Sequence, residues 1–352
     1  MVKGRDLFRE HPPRWEDGGS FLLLNPRLPS SVLQRLVAAE FPDLADHVWL
    51  GTSGTGGMLK LIALSRTALE ASARAVNAHL AAGADDTWLN PLPLFHAGGL
   101  GILVRADLSG AQVELLADWD PSAFTRRADR IGAALSSLVP TQVHDLVQAG
   151  CRAPSSLRAV VVGGGFFDEN LRAAAQQLGW PVLPSYGLTE AASQVATAGL
   201  GPSDAPWLPL LPHFEARTNR QGLLELRGPS LLTGWLTFEV DDPPLWEDPK
   251  IDGWFTTSDR VEVTDGKIQV LGRADNLIKI RGELVDVGAL ERALQTRVPS
   301  GYVRVDVESD PRNGARLAVT AAHVAACREA SDALDIFPAF ARPHTCAVGP
   351  VP

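Results

Sequence analysis

Strand-like and helix-like segments alternate along the chain from about Ser30 to Leu200, and this alternation constrains the fold more than any other feature. A short apolar run that ends in turn residues is typical of a buried strand, and a longer segment behind a capping residue is typical of a helix. Strands alternating with helices of this length predict an α/β layer architecture. The segments are AALSSLVP (133–140, strand), TQVHDLVQAG (141–150, helix), LRAVVVGGG (157–165, strand and glycine turn) and DENLRAAAQQLG (168–179, helix with Asp168 as N-cap).

An earlier helix is predicted by SRTALEASARAVNAHLAAG, residues 65–83. Ser65 suits the N-cap, because its side-chain oxygen can accept a hydrogen bond from a free backbone N–H of the first turn. Gly83 suits the position after the helix, where the backbone often turns left-handed.

The composition of the sequence changes after Pro202, where prolines, tryptophans and short strand-like segments become frequent. GLLELRG (222–228) and GKIQVLG (266–272) predict a mainly β subdomain up to residue 271. The remaining 80 or so residues predict a small α+β domain, so we divide the chain into 1–271 and 272–352. The supporting segments are VDVGALERALQTR (285–297, helix), YVRVDVESD (302–310) and RLAVTAAH (316–323) as strands paired around Asn313-Gly314, and VAACREASDALDIF (324–337, helix).

Charge and apolar content exclude several classes of protein. The formal charge of −9 argues against general nucleic-acid binding. The N-terminal residues have no apolar core of a signal peptide, and no apolar stretch approaches the roughly 20 residues of a membrane span. Cys151, Cys327 and Cys346 lack CxxC spacing, which argues against a disulfide framework or a zinc site and predicts a cytoplasmic location.

The stretch GTSGTGGMLK (51–60) has the composition of a phosphate-binding loop. Successive backbone N–H groups in a glycine-rich loop form an anion site, to which hydroxyl groups and Lys60 add donors and charge. It is no Walker loop, because Gly57 stands where that motif requires lysine. By composition alone, a flexible surface turn explains the stretch equally well.

Five segments in order resemble the motifs of acyl-adenylate-forming enzymes, and they are spread over about 240 residues. One of them, SYGLTE, matches its family pattern without a mismatch. The segments are TSGTGGMLK (52–60), PLPLFHAGG (91–99), SYGLTE (185–190), GWFTTSDR (253–260) and GRADNLIKIRGELVDVGALE (272–291). The resemblance implies a large N-terminal adenylate-forming domain with a small mobile domain behind it. It also implies a reaction in which ATP activates a carboxylic acid to an acyl-adenylate, and CoA then takes the acyl group.

The resemblance assigns most candidate residues to the nucleotide. The pyrophosphate cradle would be Thr52, Ser53, Gly54, Thr55, Gly56, Gly57 and Lys60. Thr189 would bond the α-phosphate, and Glu190 would hold Mg²⁺, a cation that prefers carboxylate oxygen. Asp259 and Arg273 would bind the ribose hydroxyls. Tyr186 would stack on adenine, next to Ser185 and Gly187 of the same motif, and the place of Gly163, Gly164 and Gly165 serves adenine and the acyl chain in the family. An aromatic that fills core space and a plain strand-to-helix turn are the alternatives for Tyr186 and for the glycines.

Another group of residues is assigned to the acid. His96 would lie at the reacting carboxyl, although a lone histidine is more often structural. The sequences of residues 91–116 and 185–197 resemble those of the o-succinylbenzoate–CoA ligases of this family, which are enzymes of menaquinone biosynthesis. Arg105 would then grip the aromatic carboxylate in bidentate fashion, with Ser193 and Gln194 adding polar contacts. A structural salt bridge explains Arg105 equally well, and another aryl or short-chain acid is an alternative substrate.

The small domain supplies the remaining assignments. Asp275 would be the hinge between the domains, and Lys279 and Gly282 would line the CoA tunnel. Gly56 and Leu59 depart from the family loop, in which threonine and proline are usual. We also expect an abridged first subdomain that a homodimer partner could cover, and weak adenylation, since no lysine follows Lys279. The alternatives are acyl transfer to a carrier protein and a binding protein without turnover.

Overall fold

The computed structural model describes residues 2–9, 12, 17–26, 28, 30–53, 59–165, 167, 169–201, 206–238, 243–274, 277–334 and 339–349. Its elements confirm the predicted α/β class, with a large domain of three main sheets and a small C-terminal domain. The helices are Gly4–Leu7, Ser30–Ala38, Arg66–Leu80, Ala97–Ser109, Pro121–Ile131, Pro140–Gln148, Glu169–Gln177, Val287–Arg297 and Val324–Ala333, with 3₁₀ turns at Thr189–Ala191 and Ala339–Ala341.

Six strands form the sheet that the alternating segments predict, and we call it the parallel sheet. Only the pairing of its first two strands is antiparallel. Its central strand Ala159–Val162 is wholly apolar and buried, as is typical of a strand whose two faces are covered by helices. In spatial order they are Ser193–Thr197, Val182–Leu188, Ala159–Val162, Leu135–Leu138, Thr87–Asn90 and Gln112–Leu115.

A second six-stranded sheet, the mixed sheet, holds both flanks of the glycine-rich stretch. These flanks are antiparallel neighbours, and Thr52 lies opposite Lys60. Two strands that sequence analysis assigned to the β subdomain join this sheet instead of the β subdomain. The strands in order are Leu245–Glu247, Gly234–Phe238, Leu59–Ser65, His47–Ser53, Phe21–Leu23 and Phe8–Arg9.

The other sheets are smaller. The antiparallel sheet of the β subdomain contains Leu208–Pro209, Lys267–Arg273, Phe255–Thr264, Leu223–Arg227 and Glu215–Thr218. The small domain contains the hairpin Leu277–Ile280 and Glu283–Asp286, which we call the small-domain hairpin, and a sheet of Val303–Asp310, Gly314–Ala321 and Cys346–Val348. Val2–Lys3 pairs with Glu40–Phe41. The small domain has its own hydrophobic core, while the exact division at residue 271 stays a prediction.

Helix Arg66–Leu80 confirms one predicted cap and corrects the other. Ser65 Oγ accepts from the backbone N–H of Ala68 at 3.1 Å, as expected of an N-cap. Gly83 does not end the helix. Ala81 takes the left-handed conformation with φ of 48°, and Ala82 N–H donates to Asn77 O at 2.8 Å, so the helix ends two residues earlier. The predicted cap Asp168 lies outside the described residues.

The cysteines correct a second expectation, because Cys327 and Cys346 form a disulfide with their Cα atoms 5.8 Å apart. The bond joins helix Val324–Ala333 to strand Cys346–Val348. Spacing along the sequence could not reveal this pairing, since a disulfide depends on the proximity of two Cα atoms in the fold. Cys151 is free. Among the described residues, no helix is long and apolar enough to cross a membrane.

His213 lies in the turn before strand Glu215–Thr218 and packs on Phe214, with ring centroids 4.3 Å apart. Both ring nitrogens are buried and have no hydrogen-bond partner in the described part of the chain. Burial therefore lowers the pKa of His213 to about 4. An unfolded chain would take up the proton near pH 6.5, so folded stability is present above that pH and falls as the pH drops towards 4.

We expect the free energy of unfolding to fall by about 1–2 kcal/mol between pH 7 and pH 5 because of His213 alone. His213→Phe should remove this part of the acid sensitivity, as measured by urea unfolding at both pH values. His79→Gln serves as the control and should keep it. Equal acid losses in wild type and His213→Phe would contradict the assignment.

Candidate active site

The described ends of the glycine-rich stretch lie on two neighbouring strands of the mixed sheet. Strand His47–Ser53 carries Thr52 next to its last residue, strand Leu59–Ser65 carries Lys60 next to its first, and Thr52 Oγ1 lies 3.5 Å from Lys60 O. These two strands therefore hold both ends of the predicted cradle in place. Gly54, Thr55, Gly56 and Gly57, and the side chain of Ser53, lie outside the described residues.

Three predicted nucleotide residues are in direct contact. Tyr186 Oη donates to Asp259 Oδ2 at 2.6 Å, and Arg273 Nη1 donates to Asp259 Oδ1 at 3.2 Å. Tyr186 comes from the parallel sheet, whereas Asp259 and Arg273 are cross-strand partners in the antiparallel sheet. Burial, and then the charge of Asp259, raise the pKa of Tyr186, so its phenol stays protonated and can donate. The three motifs therefore converge where two sheets meet.

Two lysines and one carboxylate surround this cluster. Burial raises the pKa of Glu190, and the nearby charges of Lys60 and Arg273 lower it. Burial lowers the pKa of Lys279, while Asp259 and Glu190 raise it. Lys279 belongs to the small domain, so this domain contributes a cation to the predicted nucleotide site. Thr189 and Glu190 lie in a 3₁₀ turn, where Leu232 N–H donates to Glu190 O at 2.8 Å.

Several predicted adenine-binding residues have structural roles in the sheet. A Cβ on Gly187 would lie 1.9 Å from Ser193 O, so the close approach of the neighbouring strand requires glycine there. Ser185 Oγ lies 2.8 Å from Thr197 Oγ1 of the same neighbouring strand. The turn Gly163–Gly165 is beside this strand end, because a Cβ on Gly163 would lie 3.3 Å from Ser185 O.

His96 meets the small domain. It is the N-terminal residue before helix Ala97–Ser109, and its Nε2 lies 3.4 Å from Glu283 Oε1 of the small-domain hairpin. Gly282, at the tip of that hairpin, is exposed with φ of 84° and open space around its Cα. The hairpin thus brings Gly282 and Lys279 to the face of the large domain that carries His96.

A second contact between the domains lies at the turn of the small-domain sheet. Arg312 donates to Asp145 in bidentate fashion, Nε to Oδ1 at 2.8 Å and Nη2 to Oδ2 at 3.1 Å. The same turn binds the hairpin, because Arg281 Nε donates to Asn313 Oδ1 at 2.9 Å. Contacts on two sides therefore fix the hairpin. The predicted hinge Asp275 lies outside the described residues.

Arg105 is 1% exposed, in the middle of helix Ala97–Ser109. Because a guanidinium only donates, the Gln194 amide turns its oxygen towards it, and Gln194 Oε1 accepts from Nη2 at 3.1 Å and Nη1 at 3.2 Å. Gln194 Nε2 then donates to Thr197 Oγ1 at 2.6 Å. Arg105 Nε has no partner among the described residues, and burial alone lowers the pKa of Arg105 to about 10.

The predicted structural salt bridge of Arg105 is therefore not found in the described part of the chain. A Cβ on Gly101 would lie 3.0 Å from Arg105 Nη2, so the side chain runs one turn back along the helix towards His96. Because Gly101 has no side chain, the guanidinium of Arg105 can occupy the space beside it. Ser193, the third residue assigned to the acid, is partly buried beside Gln194.

Two contacts at this site were not predicted from the sequence. Trp235 lies under the ammonium of Lys60, with 3.4 Å from Nζ to the ring centroid. Glu283, inside a recognised motif, was given no role although it meets His96. The alternation of strand Gly234–Phe238 puts Trp235 on one face, but no sequence pattern says that this face meets the phosphate loop.

Comparisons with known proteins agree with this geometry. A family model described as AMP-binding enzyme matches residues 43–219. A 2-succinylbenzoate–CoA ligase from Bacillus cytotoxicus is 31% identical over 277 residues, which are 74% of this chain and 57% of that protein. The ligase of the same name from Salmonella typhimurium is 34% identical over 249 residues, which are 69% of this chain and 50% of that protein.

A solved structure has the same fold. It is a double mutant of o-succinylbenzoate CoA synthetase from Bacillus subtilis bound with its product analogue OSB-NCoA, with a TM-score of 0.76 and 23% identity, covering 94% of this chain and 75% of that chain. The chain spans about half the length of the curated relatives it matches. The family model covers just over half of this chain, across the two strands around the glycine-rich stretch and the SYGLTE strand. The chain therefore belongs to the AMP-binding enzyme family.

Proposed function

We propose that this protein uses ATP to activate o-succinylbenzoate and transfers the acyl group to CoA. A carboxylate oxygen of the acid attacks the α-phosphorus of ATP, and the bond to pyrophosphate breaks, which gives acyl-adenylate. The CoA thiol then attacks the acyl carbon, loses its proton, and AMP leaves. Arg105 is buried and has no carboxylate partner among the described residues, and this observation carries the choice of acid.

The nucleotide residues would act mainly by placing charge and hydrogen-bond donors in advance. Lys60 and the backbone of the glycine-rich stretch would hold the β- and γ-phosphates. Thr189 would donate to the α-phosphate. Asp259 would accept from the ribose hydroxyls, since its carboxylate oxygens keep further lone pairs beside the bonds to Tyr186 and Arg273.

Glu190 fits a magnesium ion. Its carboxylate has no ion pair within the described part of the chain, and Mg²⁺ commonly uses one or two carboxylates together with substrate phosphates. The described residues contain no cluster of three metal-ligating side chains, so the phosphates would have to complete the ligand set. When bound, the ion would neutralise charge on the phosphate oxygens. Glu190 itself would hold that ion near Lys60.

The acid would lie between His96 and Arg105. These residues are on one helix, and the guanidinium reaches back to the level of Gly101, five residues and roughly 7.5 Å along the axis from His96. An aryl acid with two carboxylates suits this arrangement: one would lie at His96 for activation, and the other would pair with Arg105. Without such a partner, the buried cation is left without a compensating charge.

The small-domain hairpin would take part in the second step. Its contacts with His96 and Asn313 support this role, in which Gly282 and Lys279 would line the path of the CoA thiol. Asp275 as a hinge and a homodimer stay predictions. The cytoplasmic location also stays a prediction, and the disulfide of Cys327 and Cys346 is a feature that counts against it.

CoA-dependent release of AMP tests the proposal. The acids to compare are o-succinylbenzoate, 3-benzoylpropionate (which lacks the ring carboxylate), benzoate and a short fatty acid. We expect the largest kcat/KM with o-succinylbenzoate and thioester formation only when CoA is present. Turnover with one of the other acids but not with o-succinylbenzoate would reject o-succinylbenzoate as the substrate. ATP binding without turnover of any acid would favour a binding protein.

A further inference from the structure

The ammonium of Lys60 rests on an aromatic face. Lys60 and Trp235 are on adjacent antiparallel strands, where Lys60 lies opposite Thr237 and Trp235 opposite Ile62. This register makes Lys60 and Trp235 diagonal neighbours on the same face of the mixed sheet. The Nζ atom lies 3.4 Å from the indole centroid, which is the geometry of a cation–π contact.

The indole is held in place from two sides. Its Nε1 donates to Glu247 Oε2 at 3.0 Å, and Glu247 is the residue opposite Trp235 on the next strand. Phe255 packs edge-on against the indole, with centroids 6.0 Å apart and an interplanar angle of 81°. Rotation of the indole would break both contacts, so the face presented to Lys60 is fixed.

Two carboxylates act on the same ammonium from different parts of the fold. Burial lowers the pKa of Lys60, whereas Glu190 and Glu247 raise it. Glu190 belongs to the candidate metal site, and Glu247 belongs to the strand behind the indole. Glu247 therefore both orients the indole and favours the charged form of Lys60.

We propose that Trp235 and Glu247 are positioning residues that hold the charged Lys60 in one orientation, ready for the phosphates of the nucleotide. The proposal rests on the proposed function only in naming phosphate as the ligand of Lys60. A flexible lysine that is ordered before binding loses less conformational freedom when the phosphate arrives. Polyphosphate affinity should therefore depend on an indole that does not itself touch the ligand.

A spectroscopic test needs neither ligand nor activity. The chain has five lysines, so reductive methylation with ¹³C-formaldehyde gives few signals, and Lys60→Arg assigns the one that matters. Over an indole face the Lys60 methyl signal should be shifted upfield. Trp235→Leu should abolish this shift, Trp235→Phe should keep part of it, and Glu247→Gln should lower the pH midpoint of the signal. A Lys60 signal at the position of the other lysines in wild type would overturn the proposal.

Calorimetry with Mg²⁺ and inorganic pyrophosphate then tests the link to phosphate. We expect binding to weaken about 3–30-fold in Trp235→Leu and to be largely rescued in Trp235→Phe. Trp254→Leu is the matched control, because Trp254 also carries cation–π contacts, with Arg217 and Arg227, and should bind like wild type. Equal affinity in Trp235→Leu and wild type would overturn the positioning role while the proposed function survives. No pyrophosphate binding by wild type, with the upfield shift present, would reject the phosphate role of Lys60 itself.

Discussion

Arg105→Met is expected to lower kcat/KM for o-succinylbenzoate by about 30- to 4,000-fold, which corresponds to about 2–5 kcal/mol for removing one partner of a buried charge pair. Activity with 3-benzoylpropionate should change little, because that acid has no ring carboxylate to pair with Arg105. The ratio of the two kcat/KM values is therefore the measurement. The two acids differ only in the ring carboxylate, so a change in this ratio reports on the contact of that carboxylate alone.

The stability of the variant separates this effect from damage to the fold. Methionine fills much of the space of the arginine and removes the cost of burying a charge, which offsets the loss of the two hydrogen bonds to Gln194. We therefore expect an unchanged or higher melting temperature for Arg105→Met. Arg158→Met, which breaks a pair with Asp86 at 2.7 Å, is the control and should keep the acid preference. A wild-type enzyme that uses both acids equally well would remove the basis for this role of Arg105.

Glu190→Gln is expected to slow pyrophosphate release by on the order of 10²–10³-fold, because charge on the phosphate oxygens would lose its metal-dependent compensation. Glutamine keeps the size of the side chain and leaves the backbone bond from Leu232 to Glu190 O intact. The rise in ATP affinity on adding Mg²⁺ should also shrink in the variant, as measured by calorimetry.

Glu262→Gln is the control for this substitution. Glu262 is an exposed carboxylate on strand Phe255–Thr264. Its replacement should change neither the rate of pyrophosphate release nor the rise in ATP affinity on adding Mg²⁺. If Glu190→Gln releases pyrophosphate at the wild-type rate, the metal must be held elsewhere, and the assignment of Glu190 fails. The two readouts together distinguish loss of the metal from loss of the nucleotide.

Local pattern predicted the parts of this fold that depend on neighbours in sequence. Ser65 caps its helix because the cap needs only a side-chain oxygen and the backbone three residues on. The strands around Asn313 pair because a turn joins them directly. Gly83 was the wrong helix end because Ala81 takes a left-handed conformation that alanine rarely adopts, and no pattern indicates that exception.

The contacts within the site depend on packing between distant segments. The sequence could predict which residues belong to the site but not which of them touch each other. Asp259, Tyr186 and Arg273 were identified from separate motifs, but their hydrogen bonds exist because two sheets converge. The carboxylate of Glu283 reaches His96 only through the placement of the small domain. The disulfide between Cys327 and Cys346 likewise depends on a helix and a strand meeting in space.

The ion pair of Asp145 and Arg312 has a consequence for the cell in which the protein works. Arg312 is 45% exposed at its side chain, so dissolved salt can screen its attraction to Asp145, whereas the apolar cores within each domain are not held by attraction between charges. Ionic strength thus acts selectively on the boundary between the domains. Through Asn313 and Arg281 that boundary is connected to the hairpin at the site, so we expect added salt to loosen the docking of the hairpin against the large domain.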